Sequence, residues 1–300
     1  MWKLFNHHLV STASGTKILH TAPDRIKSFK FKYPPIESQK EIGKTLNALD
    51  AKIDNLRRQN ETLEEIARSI FKHWFIDFEF PNPDSKPYKS SGGAMVRSDL
   101  GDIPEGWKIR RFDSLGELNR GKSRHRPRYA EHLYSGIYPF IQTGDIKASQ
   151  GFITEYEQTY SDAGLAQSRL WKDETLCITI AANIAETGIL TFPTCFPDSV
   201  IGFIADSNIC DVYFIHRMFK HKKKEIEIES IGSVQKNLNL ETIAKIEFII
   251  PNIEKHNDLV MVFRKLGSNI IFNKQKMRTL TKIRDTLLPK LMSGQLRVNE

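Results

Sequence analysis

Apolar positions follow two different rules along this chain. Over residues 36–80 and 251–292 they recur at alternating steps of four and three, whereas over 107–250 short apolar runs alternate with glycines and turn residues. In the first regime Ile42, Leu46, Leu49, Ile53, Leu56, Asn60, Leu63, Ala67 and Ile70 make one stripe, and Leu259, Phe263, Leu266, Ile270, Asn273, Met277, Leu280, Arg284 and Leu287 make another. Stripes of that period are coiled-coil seams. Each opens after a proline, Pro34–Pro35 or Pro251, which ends a preceding strand. Each then runs about 37 residues, roughly 55 Å of helix. Asn60 and Asn273 fall on seam positions, where a polar residue either fixes register at a cost in stability or faces water at an imperfect seam.

The second regime predicts strands at Tyr138–Gln142, Leu176–Ala181, Ile189–Phe192, Val200–Ala205 and Ile243–Ile250. A helix is expected from Asp211, as N-cap, to about Lys224. Residues 81–95, PNPDSKPYKSSGGAM, have no period and read as a linker or surface loop. The expected fold class is therefore α+β: a β-rich domain over 96–250, with long helices over 36–80 and within 251–300 paired antiparallel as a spacer.

An internal repeat supports that pairing. Shifting the sequence by 217 lays FKYPPIESQKEI from Phe31 over FIIPNIEKHNDL from Phe248, without a gap for the next 45 positions. Nine positions are identical: Phe31, Pro34, Ile36, Glu37, Leu49, Ile53, Thr62, Leu63 and Ile66. The same offset carries Met1 onto Met218, Gly15 onto Gly232, Ile26 onto Ile243 and Phe29 onto Ile246. Residues 1–35 are thus expected to be the C-terminal remnant of a first β-rich copy.

Composition narrows the class. The chain has 300 residues, 40% hydrophobic and 27% charged, and no window approaches the roughly 18 apolar residues of a membrane-spanning helix. Its first twenty residues lack a continuous apolar core and an A-x-A cleavage site, so a soluble, cytoplasmic protein is expected. Cys177, Cys195 and Cys210 form no C-x-x-C pair, and the nine histidines show no ligand spacing; no metal site is predicted.

The net charge of +8 is local. Residues 107–150 hold nine bases and four acids, and Arg120, Lys122, Arg124, Arg126 and Arg128 place five cations within nine residues. A stripe that dense favours a polyanionic partner. The helix segment 37–80 holds seven bases and nine acids, and 254–293 nine bases and three acids. Pairing the two helices is electrostatically favoured, although each surface ion pair is weak.

Catalytic constellations are harder to find. Gly116–Ser123 matches G-x-x-x-x-G-K-[ST], the loop that cradles nucleotide phosphates in a hydrolase, but the preceding WKIRRFDSL is broken by charges and Pro127 would sit inside the following helix. No Asn/Asp-Pro-Pro-aromatic tetrad, clustered metal-binding carboxylates or local nucleophile signature is visible. Binding chemistry is better represented. Arg and Lys neutralise phosphates, and Arg, Asn and Gln can form bidentate hydrogen bonds with base edges. Besides the five cations, the candidates are Gln142, Thr143, Lys147 and Gln150, and Gln235, Lys236 and Asn237, all in glycine-punctuated segments.

These segments resemble a known family, the specificity subunit of type I restriction-modification enzymes. Ile103-Pro-Glu-Gly-Trp107 looks like the opening of that family's target recognition domain, followed by a Gly-Lys-Ser turn at 121–123. Pro139-Phe-Ile-Gln-Thr-Gly-Asp-Ile146 resembles a recurring strand-turn and Gly232-Ser-Val-Gln-Lys-Asn-Leu238 a late loop, while Ile283-Arg-Asp-Thr-Leu-Leu-Pro-Lys-Leu-Met-Ser-Gly-Gln-Leu296 matches the family's helix end. The resemblance implies a non-catalytic DNA-reading subunit in which two recognition domains each read half of a bipartite target across two antiparallel helices. It also implies docking of methyltransferase subunits and motor-nuclease subunits, which would carry S-adenosylmethionine, ATP and Mg. Here one full recognition domain and the tail of another are expected, so the chain would act as a homodimer through its long helices, with a palindromic target, or with another fragment.

Overall fold

A computed structural model describes residues 2–14, 20–30, 33–232 and 238–297, with side chains from Phe5 and, in the third stretch, to Ile228. In chain order the elements are α1 (Trp2–Thr12), α2 (Pro23–Lys27), α3 (Ile36–Phe71), β1 (Met95–Ser98), β2 (Gly101–Pro104), β3 (Lys108–Arg111), β4 (Gly116–Arg120), β5 (Tyr134–Phe140), α4 (Thr143–Ala148), β6 (Phe152–Ile153) and β7 (Gln158–Tyr160). They continue with α5 (Asp162–Ala166), β8 (Leu176–Thr179), β9 (Thr187–Leu190), β10 (Val200–Ala205), α6 (Val212–Gly232), α7 (Leu240–Ala244), β11 (Glu247–Ile250) and α8 (Ile253–Met292). The fold is α+β with two long helices. No helix among the described residues is long and apolar enough to cross a membrane.

The 217-residue offset holds at the level of elements. It lays Pro23–Lys27 on Leu240–Ala244, and the start of α3 at Ile36 on the start of α8 at Ile253. α1 falls inside α6.

The chain divides into two compact units, residues 1–59 with 274–300 and residues 60–273, and the division falls inside both long helices. In the first unit Ile53 and Leu56 are buried, Leu49, Met277 and Leu280 are half-buried, and Arg284 donates to Asp50 Oδ1 at 2.8 Å.

In the second unit the helices run antiparallel. Asn60 meets Asn273, and Phe71 meets Phe263 with ring centroids 6.0 Å apart, so residue number falls on α8 as it rises on α3. Ile270 and Asn273 are buried between half-buried Leu63 and Leu266. Both helices differ from straight rods: α3 ends in a π turn over Lys72–Ile76, and α8 is kinked at His256 (φ −125°, ψ 22°).

The core of this unit is a five-stranded sheet ordered β4-β10-β8-β9-β6, antiparallel except for β6 with β9. Its central strands are buried on both faces, and alternate residues sort between them. Leu176, Ile178, Ile189, Ile201 and Phe203 join the larger cluster with α6, Phe71 and Phe263, while Cys177, Leu190 and Val200 pack with Trp171 and Phe196. Burial raises all three thiols, Cys195 to about 11 and Cys210 to about 12 with acidic neighbours adding to the latter, so they are packing groups.

Three sequence expectations need correction. The apolar run Ile243–Ile250 is not one strand: Ile243 lies in α7, capped by Asn239 accepting from Thr242 N at 2.8 Å, and only Glu247–Ile250 pairs with β3. The helix from Asp211 continues past Lys224 to Gly232, because Ile226 is buried and extends its apolar face. Residues 81–95 form an ordered surface loop, with Tyr88 stacked on Phe80 at 4.5 Å and its hydroxyl donating to Ala94 O at 2.8 Å, and Met95 already begins β1.

Candidate nucleic-acid interface

β4 is an edge strand whose last residue, Arg120, pairs with Ile201. The chain then stays zipped to the segment before β10: Gly121 N donates to Val200 O at 2.8 Å and Lys122 N to Phe196 O at 3.2 Å. The approach is close enough that a Cβ on Gly121 would overlap Pro197 O and Phe196 O, so glycine is required there. On the next carbonyl, Ile141 N donates to Cys195 O at 3.0 Å. The arginine-rich segment and the Gln142–Thr143 segment are thereby rooted on adjacent residues of one stretch.

The five cations are exposed but not equivalent. Arg120 Nε donates to Asp198 O at 3.0 Å, and Arg128 pairs with the Asp198 carboxylate at 3.0 Å. Arg126 folds back onto the carbonyls of Ser123 and His125, each at 2.8 Å. Lys122 and Arg124 have no side-chain partner among the described residues. At the foot of the stripe Arg169 bonds Glu117 at 2.7 Å and holds its carboxyl below the ordinary value, neutralising the acid of that strand. The surface therefore keeps its positive character, and the exposed Arg128–Asp198 pair is weak enough for a phosphate to displace.

Gln142 donates from its side chain to Gln158 Oε1 at 3.0 Å, while its N–H donates to Asp145 Oδ2 at 2.7 Å and caps α4, on which Thr143 is the first residue. Lys147 and Gln150 diverge from that group. Lys147 Nζ donates to Asn183 Oδ1 at 3.3 Å, and Gln150, at φ 52°, turns its carbonyl to Lys220 at 3.4 Å. Gln235, Lys236 and Asn237 lie outside the described residues. Sequence reasoning missed Asp198, whose carboxylate pairs with Arg128 and whose backbone carbonyl accepts from Arg120, because these partners lie 70 or more residues away and leave no local signal.

The phosphate-loop reading fails on geometry. Gly116–Arg120 is an edge strand, and none of residues 121–130 is helical, so no helix N-terminus follows Ser123 to complete a phosphate cradle.

Two ion-pair nodes hold this β-rich module to the adjoining helix ends. Arg217 of α6, 5% exposed, makes a bidentate pair with Glu64 of α3 at 2.5 and 3.1 Å, and Lys220 joins it at 3.2 Å. Burial pushes the Glu64 carboxyl up, and the two cations outweigh it, leaving the group below its ordinary 4.5. Arg264 of α8 bridges Glu174 and Asp211, and Asp211 also caps α6 through Tyr213 N at 2.8 Å.

Known proteins resemble this chain over most of its length. The profile of the family described as "Type I restriction modification DNA specificity domain" matches residues 3–65 and 104–282. The type I restriction enzyme MjaIX specificity subunit of Methanocaldococcus jannaschii is 28% identical over 310 residues, spanning 99% of this chain and 68% of that protein. The HindI specificity subunit of Haemophilus influenzae is 26% identical over 333 residues, 91% of this chain and 70% of that protein. The crystal structure of a type I restriction-modification S subunit from M. genitalium shares the fold with a TM-score of 0.60 at 15% identity, over 96% of this chain and 72% of the other. The chain belongs to the type I restriction-modification DNA specificity family, whose work is recognition of DNA sequence.

Proposed function

We propose that this chain is the non-catalytic subunit that selects the DNA target of a cytoplasmic type I restriction-modification complex, reading one part of a bipartite sequence. The observation that carries the reading is the exposed cationic segment Arg120–Arg128 rooted beside Gln142–Thr143 on residues 195–196. In this account Lys122, Arg124 and Arg128 engage phosphates, and Gln142 and Thr143 at the start of α4 face base edges. The antiparallel helices are the scaffold for methyltransferase and motor-nuclease subunits, which carry S-adenosylmethionine, ATP and Mg.

The repeat supports assembly through the same helices. A second copy supplies a second module, and a two-fold pair of chains reads a palindromic target. Light scattering tests this part: a dimer at micromolar concentration, free or on DNA, is expected, and a monomer in both states removes it. Titration of duplex DNA at rising salt tests the rest, with affinity expected to fall steeply.

A further inference from the structure

Ile137 is the most exposed large apolar side chain among the described residues, at 80%. One exposed apolar residue is ordinary. What distinguishes this one is the backbone that presents it. Tyr134 and Tyr138 of β5 both oppose Tyr160 of β7, so Ser135, Gly136 and Ile137 bulge out of a two-stranded ribbon. Ser135 takes a positive φ of 63°, a conformation disfavoured for any residue with a side chain, and Gly136 lies so close to Tyr160 and Ser161 that a Cβ would overlap them.

The ribbon's inner face is fixed. Phe140 stacks on Tyr160 at 4.1 Å, with Tyr134 edge-on at 5.2 Å, and both pack with Cys195, the residue on which Ile141 is rooted. The Tyr134 hydroxyl donates to Arg128 O at 3.1 Å and ties the ribbon to the cationic turn, where Tyr129 is 72% exposed. Asp162 is held by the Tyr138 hydroxyl at 3.0 Å. An outward apolar side chain thus sits on a rigid, narrow ribbon beside cations.

We infer that Ile137 is a specificity-determining residue that contacts the C5-methyl group of a thymine in the major groove, with the β5–β7 ribbon lying in the groove and the neighbouring arginines on phosphates. A major groove admits a two-stranded ribbon, and the thymine methyl is the one apolar feature its base edges display. This deepens the DNA-reading proposal and rests on it.

The test starts from the full chain and a pool of random-sequence duplexes. The enriched sequence is remade with deoxyuridine in place of each thymidine in turn, which removes one methyl group and no hydrogen bond. At one thymidine the wild-type chain is expected to lose about four-fold in affinity, the effect of one methyl-sized group. Ile137→Ala is expected to bind the thymidine duplex about four-fold more weakly, to lose nothing further on that deoxyuridine, and to melt at the wild-type temperature. The inference is overturned if Ile137→Ala shows the wild-type deoxyuridine loss at every position, or if the enriched sequence holds no thymidine. If Arg124→Ala weakens all duplexes and Ile137→Ala changes nothing, DNA reading stands and this inference falls. If the wild-type chain enriches no sequence, both fall.

Discussion

Asn273 Nδ2 donates to Asn60 Oδ1 at 2.9 Å, and Asn60 Nδ2 reaches Ile270 O at 3.4 Å, so two seam asparagines satisfy each other inside the helix pair. At the 217-residue offset their counterparts are Met277 and Leu56, both apolar. The polar rung therefore breaks the repeat's own symmetry, which discriminates between registers that the apolar stripe alone would allow.

Replacing one member leaves amide groups without their partner. Asn273→Leu is expected to lose about 1–3 kcal/mol in urea unfolding. Asn60→Leu with Asn273→Leu is expected to recover that loss, since two apolar residues fill the seam without an orphaned group. A double variant less stable than the single one would contradict this role.

Glu64 and Arg217 make a different prediction. Removing the carboxylate with Glu64→Ala leaves Arg217 buried and uncompensated, and about 3–5 kcal/mol of stability is expected to go with it in denaturant unfolding. The folded carboxyl sits below its ordinary 4.5. The pair's contribution is therefore full above that value and is lost as pH falls through the lower folded value. Thermal melts from pH 7 downward are expected to show less acid sensitivity in Glu64→Gln than in the wild type.

The cationic stripe predicts a graded response. Lys122→Ala and Arg124→Ala remove side chains that have no partner within the described chain, so stability is expected to change by less than about 0.5 kcal/mol. DNA affinity is expected to fall for all sequences alike, and the slope of log K against log salt to become shallower by about 0.9 for each phosphate left without its cation. Isothermal titration of the wild-type chain with Mg-ATP is expected to give no saturable heat, because Gly116–Ser123 lacks the helix a phosphate loop requires.

The long elements were legible because their signal is repeated many times. Nine seam positions per helix and the offset of 217 located the starts at Ile36 and Ile253. Val200–Ala205 was readable because a run buried on both faces is continuously apolar and ends at a turn. Ile243–Ile250 was misread because a short apolar run does not reveal its period, although Asn239 followed by Thr242 carried a helix-cap signal. At the interface, sequence showed the density of positive charge. It could not show that Asp198 restrains Arg120 and Arg128, nor that the Ser135–Ile137 bulge turns an apolar side chain outward, since both depend on strand pairing across distant residues.

The central claim is that this chain decides which DNA sequence its complex modifies. Methylome sequencing of cells that carry the cognate modification subunit, with and without this chain, tests it directly. The account predicts that one bipartite motif becomes methylated only when the chain is present and that Lys122→Ala with Arg124→Ala diminishes its methylation. Methylation of the same sites in cells lacking the chain, or no motif in cells that have it, would contradict the account.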